Sequence, residues 1–128
     1  FRENFLPLYE SGQLSFIHEE GRFCEGVELE IKHGHTRGQL IPSFLYKGRK
    51  VYFMADFIAA VLNIPLPYVP AFDIDPLLSM KEKEEFLNRI LHEDHVLFFQ
   101  HDHDNECCNL ERSPKGIRAK DIFALSGI

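Results

Sequence analysis

The segment His33-Gly-His-Thr-Arg-Gly-Gln39 carries two imidazoles and two glycines directly ahead of an apolar, strand-like run from Leu40 to Tyr46. An imidazole on a glycine-rich turn at a strand edge is one way a scaffold presents a metal ligand. Two later breaks have the same character. Val51-Tyr-Phe-Met-Ala55 is apolar and ends at Asp56, and Val96-Leu-Phe-Phe99 is apolar and leads into His101-Asp102. His35, Asp56 and His101 therefore each stand where a strand or turn gives way to loop. Strand ends on one side of a sheet are where folds of this kind gather chemistry. Imidazole and carboxylate together ligate zinc, and also manganese or iron. Short motifs of this type also occur as solvated turns with no ligand at all.

The elements that must position these residues can be read in turn. Arg2 to Tyr9 has Phe5, Leu6 and Tyr9 spaced for one face of a helix, which Ser11-Gly12 stops. Leu14 to His18 reads as a short strand. Val27-Glu-Leu-Glu-Ile31 alternates strictly, as a strand with one wet face does. Leu40 to Tyr46 and Val51 to Ala55 are expected to pair as a hairpin across Lys47-Gly-Arg-Lys50. Phe57 to Leu62 suggests a helical turn, and Pro65, Pro67 and Pro70 hold the next stretch extended as an ordered apolar loop. Asp75-Pro76 and Ser79-Met-Lys-Glu82 are alternative caps for a helix with Leu77, Met80, Leu87, Ile90 and Leu91 on one face. Lys81 to Glu85 would be its solvated face. Val96 to Phe99, Cys107 to Glu111 and Ile117 to Leu125 complete the sheet, the last two joined at Ser113-Pro-Lys-Gly116.

At 128 residues, 45% hydrophobic and 12% aromatic, the chain can bury a modest core. The net charge of −6 and the lack of a large Lys/Arg cluster argue against nucleic acid as a partner. No apolar run approaches the ~18 residues of a membrane span, and no signal-peptide pattern opens the chain. Three cysteines, Cys24, Cys107 and Cys108, do not make a disulfide framework, so a reducing, cytoplasmic setting is expected. Cys107 and Cys108 read as core thiols on a strand. A first residue of Phe1 rather than Met suggests a truncated or processed chain.

Gly34-His-Thr-Arg-Gly38, the apolar run ending in Asp56, and Phe98-Phe-Gln-His-Asp102, in that order, resemble the second half of a metallo-β-lactamase-superfamily hydrolase, with most likeness to the lactonase-like branch. The resemblance runs from about Phe1 to Ile122. It implies an α+β fold: half of an αββα sandwich, with a mainly antiparallel, mixed sheet and one or two helices, residues 1–128 forming one domain. It implies that His35 ligates a first zinc, that Asp56 is the catalytic carboxylate bridging two metals, and that His101 ligates the second. Asp102, beside His101, would then orient a ligand from behind. The implied activity is hydrolysis of an ester, lactone, amide or thioester by hydroxide generated between two metals.

The sequence departs from that family in three places. Arg37 stands where the family's turn has proline. Ala59 stands where lactonases carry a tyrosine, which leaves the substrate open. The family's His-x-His-x-Asp-His cluster has no counterpart before His35, and the echo at His101-Asp-His-Asp-Asn105 has Asn105 where a histidine is needed. One histidine per metal and a shared aspartate give at most two of the about four ligands zinc takes. The expectation is thus a small-molecule hydrolase whose missing N-terminal half, or a second chain, completes the site. The 128-residue chain alone would bind zinc weakly and be inactive. The alternative is a non-catalytic metal-binding or interaction domain.

Overall fold

The computed structural model describes residues 1–128, in which seven strands form one mixed sheet in sequence order. The strands are β1 (Gly21–Cys24), β2 (Val27–Lys32), β3 (Gln39–Tyr46), β4 (Arg49–Phe53), β5 (Val96–Phe98), β6 (Cys107–Ser113) and β7 (Gly116–Phe123). Every neighbouring pair is antiparallel except β4 and β5, which are parallel and in register from Val51↔Val96 to Phe53↔Phe98. Parallel neighbours cannot be joined by a tight turn. The connection between them contains the long helix α2 (Pro76–Ile90); a short helix α1 (Leu6–Glu10) lies near the start of the chain.

Strand direction sets up the site. β2 and β4 both run antiparallel to β3, so they point the same way, and β5 runs parallel to β4. The C-terminal ends of β2, β4 and β5 therefore share one edge of the sheet. The loops leaving that edge begin at His33, Met54 and Phe99.

Alternation along the strands separates two cores. Ile41, Tyr52, Leu97 and Cys108 face Phe86, Leu87 and Ile90 of α2, together with Met54, Phe57, Ile58 and Ile64. Val51, Val96 and Cys107 face the other way, beneath Phe44, Tyr46, Phe98, Phe123 and Leu125. Both C-terminal cysteines are buried strand residues, and burial raises their thiols to about 11 for Cys107 and about 12 for Cys108. Thiols held that high stay protonated and unreactive near neutral pH.

Several local expectations need correction. Leu14–His18 forms no strand; the first strand is β1. Phe57–Leu62 is a turn followed by a single 3₁₀ turn at Val61–Asn63, not a helical turn across the whole segment. The cap of α2 is Asp75, whose Oδ1 accepts the Leu78 N–H at 3.0 Å. Ser79 lies inside the helix, buried, with no hydrogen-bond partner for its hydroxyl. Leu77, expected on the buried face, is exposed, whereas Lys83, expected on the wet face, is 1% exposed. No helix is long and apolar enough to cross a membrane.

Candidate metal centre

The loop after β2 carries His35, and three contacts fix it. Gly38 turns the chain back with φ of +81°, a conformation that suits glycine, and its N–H donates to His33 Nδ1 at 3.1 Å. Gly34 presses against α2 so closely that a Cβ there would lie 2.4 Å from the Ser79 backbone nitrogen. The two glycines thus serve different needs, one a turn and the other a close approach. Finally, the N–H groups of His33 and Gly34 donate to the Glu82 carboxylate at 2.9 and 3.0 Å. His33 closes the turn with its own ring and leaves His35 to face the sheet edge.

The loop after β4 carries Asp56. Ala55 just before it has φ of +46°, a left-handed conformation that costs a residue with a Cβ on the order of 1 kcal/mol or more. The Gln39 side-chain oxygen, turned toward the donors around it, accepts the N–H groups of Asp56 at 3.0 Å and Phe57 at 3.2 Å. A residue at the start of β3 thereby fixes the backbone of the Asp56 turn.

His101, from the loop after β5, arrives at the same point. His101 Nε2 lies 2.9 Å from Asp56 Oδ1, and His35 Nε2 lies 3.7 Å from Asp56 Oδ2. Two imidazoles from distant loops therefore face different oxygens of one carboxylate. The other nitrogen of His35, Nδ1, is 2.8 Å from Asp73 Oδ1, and the Asp73 side chain is 2% exposed. A carboxylate accepts hydrogen bonds, so Nδ1 carries a proton directed at Asp73, and Nε2 is the nitrogen turned toward Asp56. Asp73 is the site residue that sequence reading missed. The only signal was a carboxylate set between Phe72 and Ile74 in an apolar loop, where an acid needs a partner.

Asp102 is placed differently. Its Oδ2 accepts the Val61 N–H at 2.9 Å, and its Oδ1 accepts from Asp104 N, Asn105 N and Asn105 Nδ2. Burial pushes its carboxyl up, but these hydrogen bonds outweigh it and hold the group below its ordinary value. Its contacts are with loop backbone and the Asn105 amide rather than with an imidazole. His103 bonds only its neighbour Asp104 and is fully exposed.

These residues suit a pair of metal ions, but only in part. A zinc joining an imidazole nitrogen to a carboxylate oxygen through bonds of ~2.1 Å leaves them roughly 3–3.4 Å apart. The two separations here bracket that range. A carboxylate behind the outer nitrogen of His35 is the usual companion of a metal-bound histidine. Yet no three His, Cys, Asp or Glu side chains converge so as to hold an ion by themselves. An ion placed between either imidazole and Asp56 would find one nitrogen and one oxygen, half of what zinc takes.

No family model matches the sequence, and no curated protein matches it. Among solved structures the likeness is clear. The chain superposes with a TM-score of 0.75 and 21% identity on a "probable metal-dependent hydrolase" from Staphylococcus aureus, which matches 89% of this chain and 40% of its own. AidC, a dizinc quorum-quenching lactonase solved with a product, N-hexanoyl-L-homoserine, gives 0.75 and 18% over 92% of this chain and 40% of its own. The hydrolase AbOPH of the β-lactamase superfamily gives 0.76 and 17% over 95% and 43%. The chain has the fold of the C-terminal half of these β-lactamase-superfamily hydrolases, an α+β arrangement with a seven-stranded mixed sheet. It spans about 40% of the length of the structures it matches.

Proposed function

We propose that this chain supplies one half of a two-metal hydrolase site, with His35 and His101 as ligands to separate ions and Asp56 as the carboxylate between them. The observation that carries the reading is the single carboxylate faced by two imidazole Nε2 atoms, one on each oxygen. Zinc is the favoured metal, since the fold is shared with a dizinc lactonase; manganese or iron would accept the same donors. The ligands still required would come from an N-terminal half or a second chain.

The chain's own residues hold and aim the donors. Asp73 keeps the His35 proton on Nδ1 and leaves Nε2 free to ligate. Gln39 and the strained Ala55 fix where Asp56 leaves the sheet. Two divalent ions bound there would supply hydroxide near neutral pH and would polarise the bond under attack. Phe72, packed edge-on against the His35 ring with centroids 5.8 Å apart, gives the rim an apolar wall. The substrate class is a small ester, lactone, thioester or amide. Ala59 stands where lactonases carry tyrosine, so lactone is not favoured over the other members of that class.

The test is metal analysis and hydrolysis with the full-length natural protein. About two ions per chain, and turnover of an activated ester lost on chelation and restored by zinc, are expected. The 128-residue chain alone should bind zinc no more tightly than micromolar and hydrolyse nothing. A full-length protein that binds no divalent ion, or that hydrolyses unchanged after chelation, would overturn the reading.

A further inference from the structure

Glu82 and Lys83 are neighbours on α2 with opposite charges, and each grips backbone. The Glu82 carboxylate takes the N–H groups of His33 and Gly34. Lys83 Nζ, inside the fold, donates to the carbonyls of Asn63 at 2.9 Å, Pro65 at 3.1 Å and Tyr68 at 2.9 Å. An ammonium has three donors, so all are used. Burial pushes that ammonium down to about 8, with the charge of Asp73 pulling the other way. Glu82 grips the His35 loop itself, and Lys83 grips residues 63–68 of the connection that carries Asp73 five residues further on. Ile74 N–H donates to the His35 carbonyl at 3.2 Å and Asp75 N–H to the Gly34 carbonyl at 2.9 Å, while Asp73 Oδ1 lies on His35 Nδ1. One helix thus holds the loop that carries the imidazole and the loop that carries its carboxylate.

We propose that Glu82 and Lys83 are positioning residues for the His35 imidazole, acting as two clamps that set the His35 loop against the Asp73 loop and so aim His35 Nε2 at Asp56. The consequence for zinc rests on the metal-site reading above; the geometry does not. A carboxylate–histidine bond of 2.8 Å tolerates little slippage of either loop. In a metal-binding protein, losing the group behind a histidine typically costs about 10–100-fold in affinity. Loosening both loops should fall in the same range.

The experiment uses full-length protein, treated with chelator and carrying ¹⁵N-labelled histidine, and follows exchange of the His35 Nδ1–H with water. In the wild type this proton should be protected. Glu82→Gln, nearly isosteric, and Lys83→Met should each speed its exchange at least about 10-fold, with the amide protons of β4 and β5 as protected as before. Lys81→Met, on the exposed side of the same helix, should change nothing. Should Lys83→Met not fold, Glu82→Gln decides the matter alone. Unchanged protection of the imidazole proton in Glu82→Gln overturns the proposal, and so does a loss that appears only together with loss of the sheet amides. If the wild type neither binds zinc nor hydrolyses, the metal reading fails, and the imidazole result stands or falls independently.

Discussion

The two histidines that face Asp56 are held in opposite ways. The His35 side chain is 13% exposed, bonded at its outer nitrogen to a carboxylate that is itself 2% exposed. Its loop is pinned by Gly38, Glu82 and the backbone of residues 74 and 75. His101 is 47% exposed, and it pairs with Asp56, itself 48% exposed. One imidazole is set by the fold before any ligand arrives. The other keeps rotamer freedom that a ligand must remove, and ordering a side chain costs up to about 1.5–2 kcal/mol. If the two-metal reading proposed above holds, the contrast assigns the tighter position to His35 and the exchangeable one to His101.

The largest effect should come from the group common to both sides. Asp56→Ala in the full-length protein removes the carboxylate that would balance two cations and set their spacing. Metal content and kcat/KM should fall together, by more than the ~10–100-fold typical of groups that only orient a ligand. Were Asp56 merely a turn residue, alanine would cost about 1 kcal/mol of stability, leaving metal and turnover alone. Measured metal per chain and turnover of one activated ester separate the two outcomes.

A smaller effect would sharpen the comparison directly. With metal removed by chelation, His35→Ala leaves the buried Asp73 carboxylate without its hydrogen-bond partner. That costs about 1–3 kcal/mol, more if the charge stays. His101→Ala exposes nothing that was buried and should stay within about 0.5 kcal/mol of wild type. Denaturant unfolding of the two variants gives the numbers. Equal losses would show that the site is not asymmetric and would break the comparison.

That asymmetry was only half legible in the sequence. The alternating run Val27–Ile31 ahead of His35 and the apolar runs ahead of Asp56 and His101 mark strand ends, and a strand needs only its own residues to be recognised. The hairpin at Lys47-Gly48 and the buried cysteines were readable for the same reason. The grip on His35 was not, because it is made by residues whose local pattern says something else. Lys83 sits among Lys81, Glu82, Glu84 and Glu85, the composition of a solvated face, and is buried only because the proline-rich loop offers it three carbonyls. Glu82 looked like the end of a capping box, yet it reaches a loop 48 and 49 positions away. Asp73 belongs to no motif and stands out only as an acid between Phe72 and Ile74. Leu77 kept the right helical spacing but is exposed in the first turn of α2. Helical period says which residues share a face and does not say what faces them.

The smallest effect expected is at Asp102, and it bears on how the exposed side is held. Asp102 ties the loop that follows β5 to Val61 and to its own next turn through three backbone N–H groups and the Asn105 amide. This is what a helix-capping carboxylate does, so Asp102→Ala should cost about 1 kcal/mol. The sign of its pH dependence follows from the depressed carboxyl. A group whose folded-state value lies below its unfolded one stabilises the fold above the ordinary carboxylate range and ceases to do so as pH falls through the folded value. Wild type and Asp102→Ala should therefore differ near neutral pH and converge in acid. Denaturant midpoints at neutral and acid pH check this. Zinc affinity in the full-length form should fall less than for Asp73→Asn, because Asp102 holds a loop whereas Asp73 holds an imidazole. The opposite pattern, full stability with a ~10–100-fold loss of zinc, would mean that Asp102 turns onto His101 when metal is present. The exposed histidine would then be as firmly backed as the buried one.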